Sequence, residues 1–165
     1  MKKNKEGKMK KSVMFFAIVL MSIMAVGCAT MNTVKEMPAE VDSKVKSMQP
    51  PSGKSLVYVV RPTSLGKPFG GTITANDEFI GTTQGTMYVY AVLTPGEYNF
   101  KVTGHDNESE IVVNLEADKT YYIYQSVYPA IFKGATSLKL VNKEEGRKAL
   151  EECRLGDKLG ENIAH

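Results

Sequence analysis

The 165-residue chain is 42% hydrophobic and 24% charged, values that fit one globular domain with appendages and exclude a disordered or fibrous protein. Its formal charge of +3 is a poor guide to partners, because residues 1–27 hold six lysines and one glutamate. The remaining fifteen basic and seventeen acidic residues give a net of −2, which argues against a nucleic-acid-binding surface.

Lys2, Lys3, Lys5, Lys8, Lys10 and Lys11 open the chain, and residues 13–26 then run apolar with Ser22 as the interruption. A positive stretch before a short apolar one reads as an export signal, since a spanning helix needs about 18 or more apolar residues. The alternatives are an uncleaved anchor or an ordinary signal peptide with an accidental cysteine. Ala25-Val26-Gly27-Cys28 resembles the lipobox of bacterial lipoproteins, with Ala25 where Leu is usual. The resemblance implies that signal peptidase II reads Ala25, Val26 and Gly27, cuts before Cys28, and leaves the thiol joined to diacylglycerol. Several acyl chains hold a protein on a membrane without a transmembrane helix, each buried methylene contributing about 0.8 kcal/mol. In a Gram-negative host, Ala29 after the cysteine implies sorting to the periplasmic leaflet of the outer membrane.

Residues 28–52 then read as the lipidated cysteine and a flexible tether, being polar, free of aromatics and carrying Pro38, Pro50 and Pro51, with at most a helical turn over 41–48. Residues 53–155 read as the globular domain. Short β-branched and aromatic runs at 55–61, 71–76, 78–83, 86–92, 97–103, 110–115, 120–127 and 137–141, separated by turn residues, predict an all-β fold. Asn76-Asp77 suits a tight hairpin and Pro95-Gly96 presets a turn. Tyr98, Phe100 and Val102 alternate with polar neighbours, as do Ile111, Val113 and Leu115, so each strand offers one face to a core. The expected architecture is an antiparallel β-sandwich of about seven to eight short strands with one C-terminal helix packed on it. Asn142 followed by Glu145 places a cap and an N3 carboxylate at the start of that helix, which runs about ten residues despite Gly146. Residues 156–165 read as a flexible tail.

Tyr58-Val59-Val60-Arg61-Pro62, the hairpin ending in Ile80-Gly81, Leu93-Thr94-Pro95-Gly96-Glu97-Tyr98, Lys119-Thr120-Tyr121-Tyr122 and Glu145-Gly146 together resemble a family of short bacterial lipoproteins classed only as a domain of unknown function. The likeness spans residues 55–155. It implies a compact β-rich envelope domain and brings no activity, ligand or catalytic residue. Asp118 stands where the family often has Gly in its turn before the paired tyrosines.

Chemistry-bearing residues are sparse. The exported chain has only His105 and His165, so neither a catalytic triad nor a metal site is expected, and no cofactor motif is present. His105-Asp106-Asn107-Glu108 reads as a hairpin loop, the alternative being weak Ca²⁺ or transition-metal binding. Lys67-Pro68-Phe69-Gly70-Gly71 lacks the Gly-Lys-Ser/Thr of a phosphate loop. Cys153 shares a helical face with Ala149 and Leu150 and reads as a small buried hydrophobe, against the alternative of an interchain disulfide. Arg61 is a candidate binding residue, or else a rim arginine paired with Glu78 or Glu97.

On the strand over 120–127, Tyr121, Ile123 and Val127 are assigned to the core. Tyr122 and Tyr124, extended by Tyr128, are the candidate binding row; packing beneath Leu150 and Cys153 is the alternative. The expected role is a non-enzymatic periplasmic module that binds membrane lipid through Cys28 and an envelope protein or cell-wall glycan besides. A purely structural lipoprotein comes second, and an enzyme acting on cell-wall material third.

Overall fold

The computed structural model describes residues 33–105, 107–128 and 135–157, all within one compact unit that starts at Thr33. In chain order its elements are helix α1 (Ala39–Lys46), strands β1 (Ser55–Arg61), β2 (Gly71–Ala75), β3 (Glu78–Thr83), β4 (Met87–Leu93), β5 (Gly96–Thr103), β6 (Glu108–Leu115), β7 (Thr120–Tyr128) and β8 (Ala135–Val141), helix α2 (Lys143–Glu152) and the two-residue β9 (Arg154–Leu155). The eight expected strands lie within two residues of their sequence-derived bounds. Among the described residues no helix is long and apolar enough to cross a membrane.

The strands form a five-stranded sheet, β8-β7-β1-β4-β9, and a four-stranded one, β3-β2-β5-β6. The second sheet is antiparallel throughout, whereas in the first β1 runs parallel to β7, and β4 parallel to β9. Val57 and Val59 of β1 face the inter-sheet core with Ile73, Val89, Phe100, Val102 and Ile123. Leu56, Tyr58 and Val60 face the other way, into a second cluster with Val45, Tyr88, Tyr122, Ala149, Leu150 and Leu155. Covered on both faces, β1 is buried at every residue, and so it reads as a continuous apolar run rather than an alternating one.

Local chemistry sets several boundaries. Asn76 and Asp77 take φ of 48° and 65°, closing β2 and β3 into a two-residue hairpin. Asp118 has φ of 60°, the conformation in which glycine is unstrained, and its carboxylate accepts the Gly53 N–H at 2.8 Å, which offsets the strain. At α2 the Asn142 side chain accepts the Glu145 N–H at 2.9 Å. Gly146 sits directly on the Tyr122 ring, where a Cβ would overlap the ring carbons. The glycine that weakens the helix is what lets it lie flat on the sheet.

The segment expected as a tether is folded from Val34 onward. Val34 is 3% exposed, the Met37 N–H donates to the Leu155 carbonyl at 2.8 Å, and Glu36 bridges Gly156. Asp157, assigned to a flexible tail, accepts the Lys35 N–H at 3.1 Å and donates its own N–H to the Lys35 carbonyl. In α1, Val45 is buried and Asp42 is 1% exposed. The Asp42 carboxylate accepts from the Leu155 N–H at 2.9 Å, from Lys46 at 3.1 Å and from Arg154 at 3.3 Å. Burial alone would raise the Asp42 carboxyl, but the bonds from Lys46 and the Leu155 amide outweigh it and hold it below the usual carboxylate range. A buried charge that joins α1 to β9 is not signalled by hydrophobic periodicity.

Candidate functional site

Strand order divides the connections between the two ends of the sandwich. At one end lie the short turns 76–77, 94–95 and 116–119; at the other lie the connections 62–70, 84–86 and the one that joins β5 to β6. Residues 106 and 129–134 fall outside the described residues. Longer connections gathered at one end of a sandwich are where binding groups are usually carried.

Arg61 closes this end from inside. It is 2% exposed at the last position of β1, on the same face as Val57 and Val59. Its Nη1 donates to the Phe69 carbonyl at 2.9 Å and the Thr83 carbonyl at 3.4 Å, and Nη2 to the Leu65 and Gly66 carbonyls at 2.8 and 3.1 Å. Burial lowers the guanidinium from its ordinary value, and Nε has no hydrogen-bond partner. Glu78 and Glu97 start strands at the opposite end, so the expected carboxylate pairing is replaced by carbonyl dipoles. The result is an arginine that fixes the 62–70 loop.

Beside it, the Thr83 hydroxyl lies between the Gly71 carbonyl and Gln125 Oε1, Gln125 Nε2 donates to the Thr136 hydroxyl at 3.1 Å, and that hydroxyl donates to the Ser126 carbonyl. Asn107 clasps the Thr136 backbone at both polar groups, each at 2.8 Å. A Cβ at Gly71 would come within 2.6 Å of Gln125 Nε2, which gives the Gly70-Gly71 pair a packing reason rather than a phosphate-binding one. These polar groups border a cleft of about 40 Å³ whose lining includes Gly66, Phe69, His105 and Val127. The Phe69 and His105 rings meet edge to face at 4.9 Å. Among the described residues no three His, Cys, Asp or Glu side chains gather as metal ligands would.

The aromatic row divides differently from the expectation. Tyr121 and Ile123 do face the inter-sheet core, but Tyr122 is 6% exposed, stacked on Tyr58 at 5.6 Å and covered by α2. Tyr124 packs against the same cluster, and Tyr128 alone of the row is open, at 54% exposure. Tyr122 is therefore core, because the outward face of β7 is where α2 lands. Cys153 is free and 1% exposed, its thiol pushed up to about 12 by burial. Ala25, Val26, Gly27 and Cys28 lie outside the described residues.

A second concavity of about 250 Å³ is lined by Met37 and Val41, by Ile80, Val89 and Tyr90, and by Leu155, Gly156 and Asp157. Sequence reasoning missed it, since half of its lining comes from the segments read as a tether and a tail. It also missed Gln84, whose Oε1 accepts the Val34 N–H at 2.9 Å and whose Nε2 reaches the Pro68 carbonyl at 3.3 Å. No local pattern marks a residue whose partners lie 50 and 16 positions away.

Residues 51–135 match the model of a family described as a protein of unknown function, DUF2846. An uncharacterized protein of Haemophilus influenzae is 24% identical over 139 residues, covering 84% of this chain and 82% of its own. The family match takes in β1 to β7 together with Arg61, Gly71, Thr83, Asn107 and Gln125. The chain belongs to the DUF2846 family, whose shared region thus contains most of the polar cluster that closes the sandwich end.

Proposed function

We propose that the protein is an exported envelope lipoprotein, held to a membrane by lipid on Cys28, and that its sandwich serves as a non-enzymatic interaction module for an envelope protein or cell-wall glycan. The observation that carries this reading is the order of the N-terminal features: six lysines, an apolar run too short to span, Ala25-Val26-Gly27-Cys28, and a folded unit six residues later at Val34. The non-enzymatic part is supported by how the reactive groups are engaged. Both nitrogens of the Arg61 fork bind backbone carbonyls, Thr83 and Gln125 bind each other, and the Cys153 thiol is held protonated by burial.

Two measurements test the proposal. Labelled palmitate should enter the wild-type protein and not Cys28→Ser, which should persist as unprocessed precursor; equal labelling of both would remove the anchor. In-cell crosslinking should trap a protein or glycan partner, with a photoreactive residue at exposed Tyr128 as the first site to try. Turnover of a cell-wall fragment by the purified protein would contradict the non-enzymatic role.

A further inference from the structure

The exposed surface of the 62–70 loop combines apolar side chains with a cation. Leu65 is 43% exposed and Phe69 50%, with exposed Lys67 between them and no acidic residue in the loop. Over Leu65–Phe69 most of its backbone, by contrast, is bonded from within. Arg61 binds the Leu65, Gly66 and Phe69 carbonyls, the Lys67 N–H donates to the Ser64 carbonyl at 3.0 Å, the Phe69 N–H to the Gly66 carbonyl at 2.9 Å, and the Leu65 N–H to the Thr63 hydroxyl at 3.2 Å. A loop that presents apolar side chains while most peptide groups over Leu65–Phe69 are already bonded enters a lipid interface at a reduced desolvation cost to the backbone.

The same end of the molecule receives the N-terminal segment. Gln84 joins the Val34 amide to the Pro68 carbonyl, so the first buried residue of the fold and the loop are two hydrogen bonds apart. Six residues separate Cys28 from Val34 in the sequence, a reach of at most about 20 Å at roughly 3.3–3.6 Å per residue. A lipid on Cys28 would therefore tether the chain from this end of the sandwich.

We infer that the Leu65–Phe69 loop is a second membrane contact: a preformed apolar finger, held by Arg61, that docks in the headgroup region of the bilayer to which Cys28 is anchored, with Lys67 on anionic headgroups. The inference rests on the lipoprotein reading above. One lipid attachment leaves orientation free; a second, rigid contact fixes which faces look away from the membrane. It also leaves Tyr128 at the rim, where an amphipathic ring suits the water boundary.

The chain contains no tryptophan, so a single one reports its own surroundings. Full-length protein carrying Phe69→Trp would be purified from the membrane, its lipidated mass recorded, and reconstituted into phosphatidylethanolamine–phosphatidylglycerol vesicles containing acyl-brominated lipid. Emission should shift to the blue and fall at least twofold with the brominated lipid. Phe79→Trp, 40% exposed beside the opposite hairpin, should show neither change. Leu65→Trp repeats the measurement should the first variant not fold. Equal emission from Phe69→Trp and Phe79→Trp, with the lipidated mass present, would overturn the contact while leaving the anchor standing. Absence of that mass would remove both. Shielding of Phe69→Trp that requires added envelope protein would assign the loop to a protein partner and overturn the inference as well.

Discussion

The two ends of the sandwich are built by different means. At the turn end the reversals rest chiefly on backbone conformation within them: Asn76 and Asp77 at positive φ, Pro95 before Gly96 with φ of 148°, and Asp118 at 60°, the last also bonded to Gly53. At the loop end the chain is held by side chains arriving from afar: Arg61 across to Thr83, Gln125 to Thr83, Asn107 to Thr136, Gln84 to Val34. A turn made locally tolerates change, because its neighbours do not depend on it. A plug made of long-range bonds does not, since each lost partner leaves a buried polar group unsatisfied. The prospective binding surface sits on the second kind of construction, which gives it a fixed shape.

That contrast predicts a ranking of substitutions, measurable by urea unfolding. Arg61→Ala should cost most, about 4 kcal/mol, because it leaves a cavity and strips donors from four carbonyls. Arg61→Lys should recover less than half of that, since an ammonium cannot reproduce the planar fork. A loss below about 1 kcal/mol for Arg61→Ala would contradict the plug.

Next comes Asp42→Ala, expected to cost about 3 kcal/mol by orphaning the Leu155 amide and unpairing Lys46 and Arg154. The pH dependence has a definite sign. The folded-state pKa is lowered, so the contribution is fully present above the unfolded value near 3.9 and is lost as pH falls through the lower folded one. Stability of the wild type should thus drop more steeply below pH 4 than that of Asp42→Asn.

Gly146→Ala sets two effects against each other. Helix propensity alone would make alanine about 1 kcal/mol better, whereas a Cβ against the Tyr122 ring should cost about 1–3 kcal/mol. The contact should win, giving net destabilisation; a stabilised variant would show that α2 can shift freely on the sheet. Smallest of all should be Asp77→Gly at the turn end. Relief of positive φ roughly offsets an exposed ion pair with Lys101, and the change should stay within about 1 kcal/mol.

The same contrast explains which features the sequence revealed. Strands such as β5, with Tyr98, Phe100 and Val102 alternating, and the Asn142–Glu145 cap of α2 depend on neighbours within four residues, and both were legible. The faces of β7 were sorted correctly, but whether Tyr122 met solvent depended on where α2 would settle, and only the Gly146 contact reveals that. Arg61 stands out in the sequence as a candidate, yet its partners lie on a loop and on β3 that no spacing rule connects to it. The docking of residues 33–48 was hidden for a further reason: its anchor is a buried carboxylate, and Asp42 counts as polar in any hydrophobic pattern.

The central claim is that residues 34–48 are part of the fold, docked by Asp42 and Leu155, rather than a long flexible tether behind the proposed anchor. Amide hydrogen exchange on the full-length protein tests it directly. The Met37 and Asp42 amides, bonded to the Leu155 and Pro38 carbonyls, and the Leu155 amide, bonded to Asp42, should be protected along with β1. Exchange of the Met37 and Asp42 amides at the rate of an unstructured chain, with β1 protected, would restore the tether and contradict this account.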